Sequence, residues 1–242
     1  MGKLRVHNIE AQTGTNVDLG AAGDVVTFAS DSIQTNLYKD SGGNTLFQSD
    51  GAGTLSNVNA ALQGNGPKLI QTQTPSNAAY VEFASNIDNT YDHYMFMFVN
   101  VQPATNAAYF HFHGSTNAGG PYGVTKTTTF IDTYHTEDNA LSGLGYSSSH
   151  DLAQSTAAQK ISGATSNNAD SALSGELHLF APSSTTYVKQ FYSTVNYCWD
   201  YPGTGGIRVS GYFNTTLAIK AYLFAFNSGN IAAGTIKLYG IS

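Results

Sequence analysis

Charge is what this sequence has least of. Only 11% of its 242 residues are Asp, Glu, Lys or Arg, less than half of the roughly one quarter found in average soluble domains. Exposed helix faces are built largely from Glu, Lys and Arg, so a helical bundle is excluded as the main architecture. The ten Lys and Arg residues are scattered singly in a chain of net charge −6. No basic stripe exists to neutralise phosphates, which removes nucleic acid and anionic lipid surfaces as partners. The single cysteine, Cys198, cannot close an internal disulfide and leaves the redox compartment open. No apolar run approaches the roughly 20 residues that span a bilayer, so membrane insertion is not expected. The first residues, Met1-Gly2-Lys3-Leu4-Arg5-Val6-His7-Asn8, lack an apolar signal segment, and Val6 does not fit a myristoylation frame. Synthesis in a cytoplasm without secretion is the expectation.

Polarity comes instead from Ser, Thr, Asn, Gln and 25 glycines, beside 15 Tyr and 13 Phe. Solvent faces of β-sheets tolerate that mixture. The aromatic content supplies enough apolar surface to offset ordering entropy, so disorder is excluded.

Two textures divide the chain. Up to about residue 60, short alternating runs (Leu4–Ile9, Val25–Phe28, Ile33–Tyr38, Thr45–Gln48) are cut by Gly-, Asp- and Asn-rich turns. Such runs are too short to bury a core within one chain, and they predict a module, residues 1–60, that intertwines or docks. Residues 61–67, ending Gly64-Asn65-Gly66-Pro67, read as a linker. Residues 68–242 then predict about ten longer strands: 68–72, 78–84, 91–101, 107–113, 124–134, 175–180, 187–197, 207–213, 219–226 and 235–239. Tyr94–Val99 is apolar at every position and predicts a central strand covered on both faces. The segment His135–Ser174 is a long surface loop or hides a short helix near Asp151–Lys160. The expected architecture is all-β: an antiparallel two-sheet sandwich, jelly-roll-like, preceded by a small extended N-terminal β module.

Few residues suggest chemistry. His111 and His113 sit two apart, so on a strand both imidazoles face one side and could grip a metal ion, with His178 approaching from another strand. The alternative is two histidines on a polar strand face. Asp132, Glu137, Asp138, Asp151 and Asp170 lie in or beside the long loop, but no spacing sets up the carboxyl pair of a glycosidase. Ser147-Ser148-Ser149-His150 puts serine beside histidine without the strand–turn–helix setting of a nucleophile elbow. Tyr197-Cys198-Trp199-Asp200-Tyr201 gathers the only Trp and two Tyr beside a carboxylate. Sugar rings offer C–H faces to aromatic planes, so Trp199, Asp200 and Tyr201 are candidate glycan contacts. The other reading has Trp199 capping the core with its N–H on a backbone carbonyl. No catalytic residue and no cofactor are expected.

The run Ser228-Gly229-Asn230-Ile231-Ala232-Ala233-Gly234-Thr235-Ile236-Lys237-Leu238-Tyr239-Gly240-Ile241 resembles the ending of a family of tailed-phage virion proteins of marine and cyanophage type, structural or tail-fibre-like. Asn86-Ile87-Asp88-Asn89-Thr90-Tyr91-Asp92-His93-Tyr94 is similar to a segment of that group. So is the start, Arg5-Val6-His7-Asn8-Ile9 through Thr13-Gly14 to Gly23-Asp24-Val25-Val26-Thr27-Phe28. Residues 114–174 carry no matching motif, and no active-site residues transfer. The resemblance implies a surface appendage, commonly a homotrimer. Residues 1–60 would anchor it to other capsid or tail proteins and a C-terminal β-domain would be exposed. The expected place is the virion surface, after synthesis in the bacterial host cytoplasm. Its expected role is a non-enzymatic capsid fibre, decoration or short tail fibre. The alternative roles are a tip that binds a host receptor or surface glycan and a polysaccharide depolymerase spike.

Overall fold

The computed structural model describes residues 37–40, 42–59 and 66–241. The expected strands at 4–9 and 25–28, and most of the expected linker, lie outside them. The chain divides into two compact units, 1–64 and 65–242.

In the first unit, β1 (Leu37–Lys39), β2 (Thr45–Ser49) and β3 (Leu55–Ser56) form an antiparallel sheet in that order. Aspartates make its turns. Asp40 Oδ1 accepts from the Gly42 and Asn44 amides at 2.9 and 2.8 Å, and Asp50 Oδ1 accepts from Ala52 and Thr54 at 2.7 and 3.0 Å. These bonds hold both carboxyls below the usual range, the Asn44 side chain contributing most at Asp40 and the Ala52 amide at Asp50. Tyr38 stacks on Phe47 at 4.4 Å. No described residue of this unit is buried.

The second unit is the sandwich, antiparallel throughout. Its larger sheet has eight strands in the order β4-β15-β6-β11-β12-β13-β8-β9. They are β4 (Lys68–Gln73), β6 (His93–Pro103), β8 (Lys126–Thr136), β9 (Ser142–Tyr146), β11 (Leu173–Phe180), β12 (Lys189–Cys198), β13 (Gly203–Phe213) and β15 (Ile231–Ile241). The smaller sheet, β10-β7-β14-β5, comprises β5 (Val81–Phe83), β7 (Phe110–Ser115), β10 (Gln159–Lys160) and β14 (Ala221–Phe226). Alternate residues of facing strands meet between the sheets. Tyr94, Phe96 and Phe98 of β6, Leu177 and Leu179 of β11, and Val195 of β12 pack against Phe110 and Phe112 of β7 and Phe224 of β14. Phe224 lies within 4.8–6.3 Å, centroid to centroid, of Phe83, Phe96, Phe98, Phe110 and Phe112.

Two expectations need correction. The strand Tyr94–Val99 is not covered on both faces: β6 turns Tyr94, Phe96 and Phe98 to the core, while Val99 on its other side is 37% exposed. Its extra apolar residues lie beside neighbours in the sheet, Met95 between His178 of β11 and Tyr239 of β15. Of the two readings of His135–Ser174, the short helix near 151–160 is absent and the loop is interrupted by the strands β9 and β10. The backbone of 151–160 is committed elsewhere: Leu152 and Gln154 amides donate to Thr128 and Thr127 Oγ1, and Ser155 exchanges bonds with Lys126. A helix would break each of these bonds.

Candidate aromatic cleft

The smaller sheet ends at the two-residue β10, and beyond that edge a cleft of about 340 Å³ opens onto inner faces of the larger sheet. Alternation along β8 carries Phe130 into the core, then Asp132 and Tyr134 progressively towards solvent on the same side. The register sets Tyr134 opposite Gly205 of β13, and Gly205 opposite Tyr197 of β12. Gly205 carries no side chain, and a Cβ there would stand 2.3 Å from the Tyr197 ring. The segment 161–166 closes the other wall. Thr165 bridges Ala108 and Trp199, and the Asp200 amide donates to Ala164 O at 3.0 Å. Gly163 and Ala164 line the cleft as a result, beside Tyr109, His150 and Trp199.

Aromatic planes dominate this site. The Trp199 ring centroid lies 5.5 Å from Tyr134 and 5.8 Å from Tyr201. His150 lies 5.1 Å from Phe130 and 5.2 Å from Tyr109. Its Nδ1 is 3.1 Å from Ser147 Oγ. Burial, and then Lys160, push the imidazole below its ordinary value, against an opposing pull from Asp132. Neutral imidazole is therefore the form near pH 7. Burial, with Asp132, Tyr109 and Asp200, pushes the Tyr197 phenol up to about 12 and keeps it a donor. Among the described residues, no protein group hydrogen-bonds the Asp132 carboxylate, the Trp199 indole N–H, or the phenols of Tyr109, Tyr134 and Tyr197.

Trp199 packs partly buried against the core, so its capping contact exists. Its backbone N–H meets Gly203 O at 3.0 Å, while the indole N–H has no carbonyl partner. Asp200 and Tyr201 lie outside this cleft. Asp200 lines a second groove of about 310 Å³ on Trp199, with Glu137 and Asp170. Tyr201 is 48% exposed. Of the carboxylates considered for hydrolysis, Asp132 alone lines the aromatic cleft, whereas Glu137 and Asp170 line the second groove.

His111 and His113 share one face of β7, their ring centroids 5.8 Å apart, and Phe110 and Phe112 point into the core. Burial, then His113 and Lys160, push His111 down to about 4. His178 cannot join them, because it lies on β11 of the other sheet, on the side away from core-facing Leu177 and Leu179. There its Nδ1 is 2.8 Å from His93 Nε2. Among the described residues no group of three His, Cys, Asp or Glu side chains could hold a metal ion.

Sequence reasoning reached Trp199 with Tyr197 beside it, but not Tyr109, Tyr134 or His150 as its companions. One signal was readable: Phe130, Asp132 and Tyr134 fall on one face of a strand, placing a carboxylate among inward-facing aromatics. Comparisons with protein-family models, with curated proteins and with solved structures found no match.

Proposed function

We propose that this chain is a non-enzymatic structural protein that projects from a phage particle, as a capsid fibre, decoration or short tail fibre. The N-terminal unit attaches or trimerises, and the sandwich faces outward. The observation that carries this reading is the contrast between the two units. The sandwich has a continuous apolar core, whereas none of the described residues 37–59 is buried and Leu55 is 57% exposed. A three-stranded sheet without buried side chains among its described residues is marginal alone in water, and cover from partner chains is what this reading supplies. The sequence resemblance supplies the setting.

Light scattering tests the assembly. The full chain is expected at trimer mass and a 65–242 fragment at monomer mass; equal states for both overturn the role of the N-terminal unit. Immunogold labelling of particles tests the location, and absence from virions overturns the reading.

A second reading, recognition of a host-surface glycan by the exposed sandwich, is favoured by the aromatic cleft. It predicts that purified protein competes with phage for adsorption to host cells.

A further inference from the structure

We propose that the cleft walled by Tyr109, Tyr134, Tyr197 and Trp199 binds an uncharged pyranose ring, with Asp132 accepting hydrogen bonds from its hydroxyls. The inference rests on the recognition reading above and names its ligand class.

Three properties of the site converge. The first is shape: Trp199 and Tyr134 meet at 57°, with centroids 5.5 Å apart, forming an open corner of two apolar planes. Tyr134 is 36% exposed, so its ring is reachable. A pyranose has an apolar C–H face that stacks on such a plane and a rim of hydroxyls pointing sideways. The volume of about 340 Å³ lies at the small end of the roughly 300–1,000 Å³ typical of small-molecule sites. That suits one sugar ring better than a long groove-bound chain.

The second property is hydrogen-bonding capacity. Phenols of Tyr109, Tyr134 and Tyr197 and the Trp199 indole offer donors, and Asp132 offers two acceptor oxygens, all without protein partners among the described residues. A polyol satisfies both kinds at once, because each hydroxyl donates and accepts. An alkyl chain would desolvate these groups without replacing their bonds. A quaternary ammonium suits aromatic faces and a carboxylate, but it accepts no hydrogen bond and would leave the donors unpaired.

The third property is charge. No Lys or Arg lines the cleft or the adjoining groove, and Lys160 is engaged over the Tyr109 ring at 4.3 Å. Asp132 in the cleft, and Glu137, Asp170 and Asp200 in the groove, repel anions. A uronate, sialate or phosphorylated sugar would meet four carboxylates here against a single lysine, Lys160, already held over the Tyr109 ring.

Trp199 is the only tryptophan of the chain, so its emission, excited selectively beside the 15 tyrosines, reports on the cleft and on the groove that shares its side chain, and the Asp132 and Tyr134 variants tell the two apart. Full-length protein is titrated with neutral methyl glucoside, galactoside, mannoside and N-acetylglucosaminide, and in parallel with glucuronate, N-acetylneuraminate and choline. At least one neutral pyranoside is expected to shift the emission saturably, while the acidic sugars and choline do not. Asp132→Asn and Tyr134→Ala are each expected to weaken that affinity about tenfold, the loss of one charge-assisted hydrogen bond or one stacking face. Both variants are expected to melt within a few degrees of the parent, and Tyr134→Phe, which keeps the ring, is expected to restore most of the binding. Saturable binding of choline or an acidic sugar in place of the neutral ones overturns the proposal, as does unchanged affinity in Asp132→Asn. If no neutral pyranoside binds but the protein still blocks phage adsorption, the ligand class is wrong and the recognition reading survives. If it neither binds nor blocks, both are wrong.

Discussion

The Tyr197 hydroxyl fills the space over Gly163, so that a Cβ on that glycine would stand 2.0 Å from the phenolic oxygen. Neither a turn nor a left-handed backbone demands glycine at 163; the reason is the ring. Gly163→Ala forces Tyr197 out of its position and disturbs the cleft wall. The expected cost is about 1–3 kcal/mol, the usual range for overpacking. Gly145→Ala is the matched control, because its nearest neighbour is Asp132 Oδ1 at an ordinary 3.5 Å. Urea denaturation of the two variants is expected to separate them clearly. Equal midpoints would mean that Tyr197 moves aside freely.

A buried lysine sits at one end of the core. Lys126 is fully buried on the inner face of β8, with Nζ donating to Val124 O at 3.0 Å and lying 5.4 Å from the Phe213 ring centroid. Among the described residues no carboxylate pairs with it, and burial pushes the amine down to about 8. Below pH 8 the folded state holds a charge that the unfolded chain solvates better. Between pH 8 and 10.5 the unfolded state binds more protons, so stability rises with pH. Lys126→Met removes the desolvation at the expense of one hydrogen bond. It is expected to stabilise the sandwich at pH 7 by about 1–2 kcal/mol. Chemical denaturation at pH 7 and pH 9.5 checks both points: the parent gains stability over this interval and the variant gains less, with Lys160 and Lys189, which burial also lowers, supplying the remainder.

Much of the sandwich was legible because its strands advertise themselves. Tyr94–Val99 stood out as an unbroken apolar run although only one face of it meets the core, and Phe110-His111-Phe112-His113 alternates core with surface, so period two was visible in the second of them. The strands that escaped notice carry little of this signal. Ser142–Tyr146 sets one Leu between two glycines, and Gln159–Lys160 is a strand only because Phe112 and His111 pair with it. The helix offered near 151–160 as the alternative to a surface loop failed for a related reason, since its polar side chains and amides serve strand partners distant in sequence. The cleft was half legible. Trp199 and its aromatic neighbours stood out locally, but Tyr109 and Tyr134 reach it through sheet register and the 161–166 crossing, which no local pattern encodes.

Phe224 is the hub of the core. Its ring meets five other phenylalanines contributed by β5, β6 and β7, and it is fully buried. Phe224→Ala leaves a cavity that rings on both sheets cannot close together. A loss of about 3–5 kcal/mol is expected, with Phe224→Leu costing distinctly less. The measurement is the shift in urea midpoint at unchanged slope. A loss below 1 kcal/mol for Phe224→Ala would show that the two sheets slide together when the ring is removed.

Acid sensitivity is expected from the histidines rather than from the carboxylates. His111 is pushed from 6.5 down to about 4, first by burial, then by His113 and Lys160 beside it. His93, His113 and His150 are lowered too, burial being the largest cause at each. Between pH 6.5 and 4 the unfolded chain therefore binds more protons, and stability falls as the pH drops. Asp40, Asp50, Asp88 and Asp138, which are held low by hydrogen bonds, lose their contribution only below about their ordinary 3.8. The two effects thus occupy different pH windows. With its partial exposure allowed for, His111 alone accounts for about 2 kcal/mol of loss. Melting curves at pH 7.5, 6 and 4.5 are expected to fall steadily for the parent and less steeply for His111→Gln. Parallel curves would assign the acid response to the other three histidines.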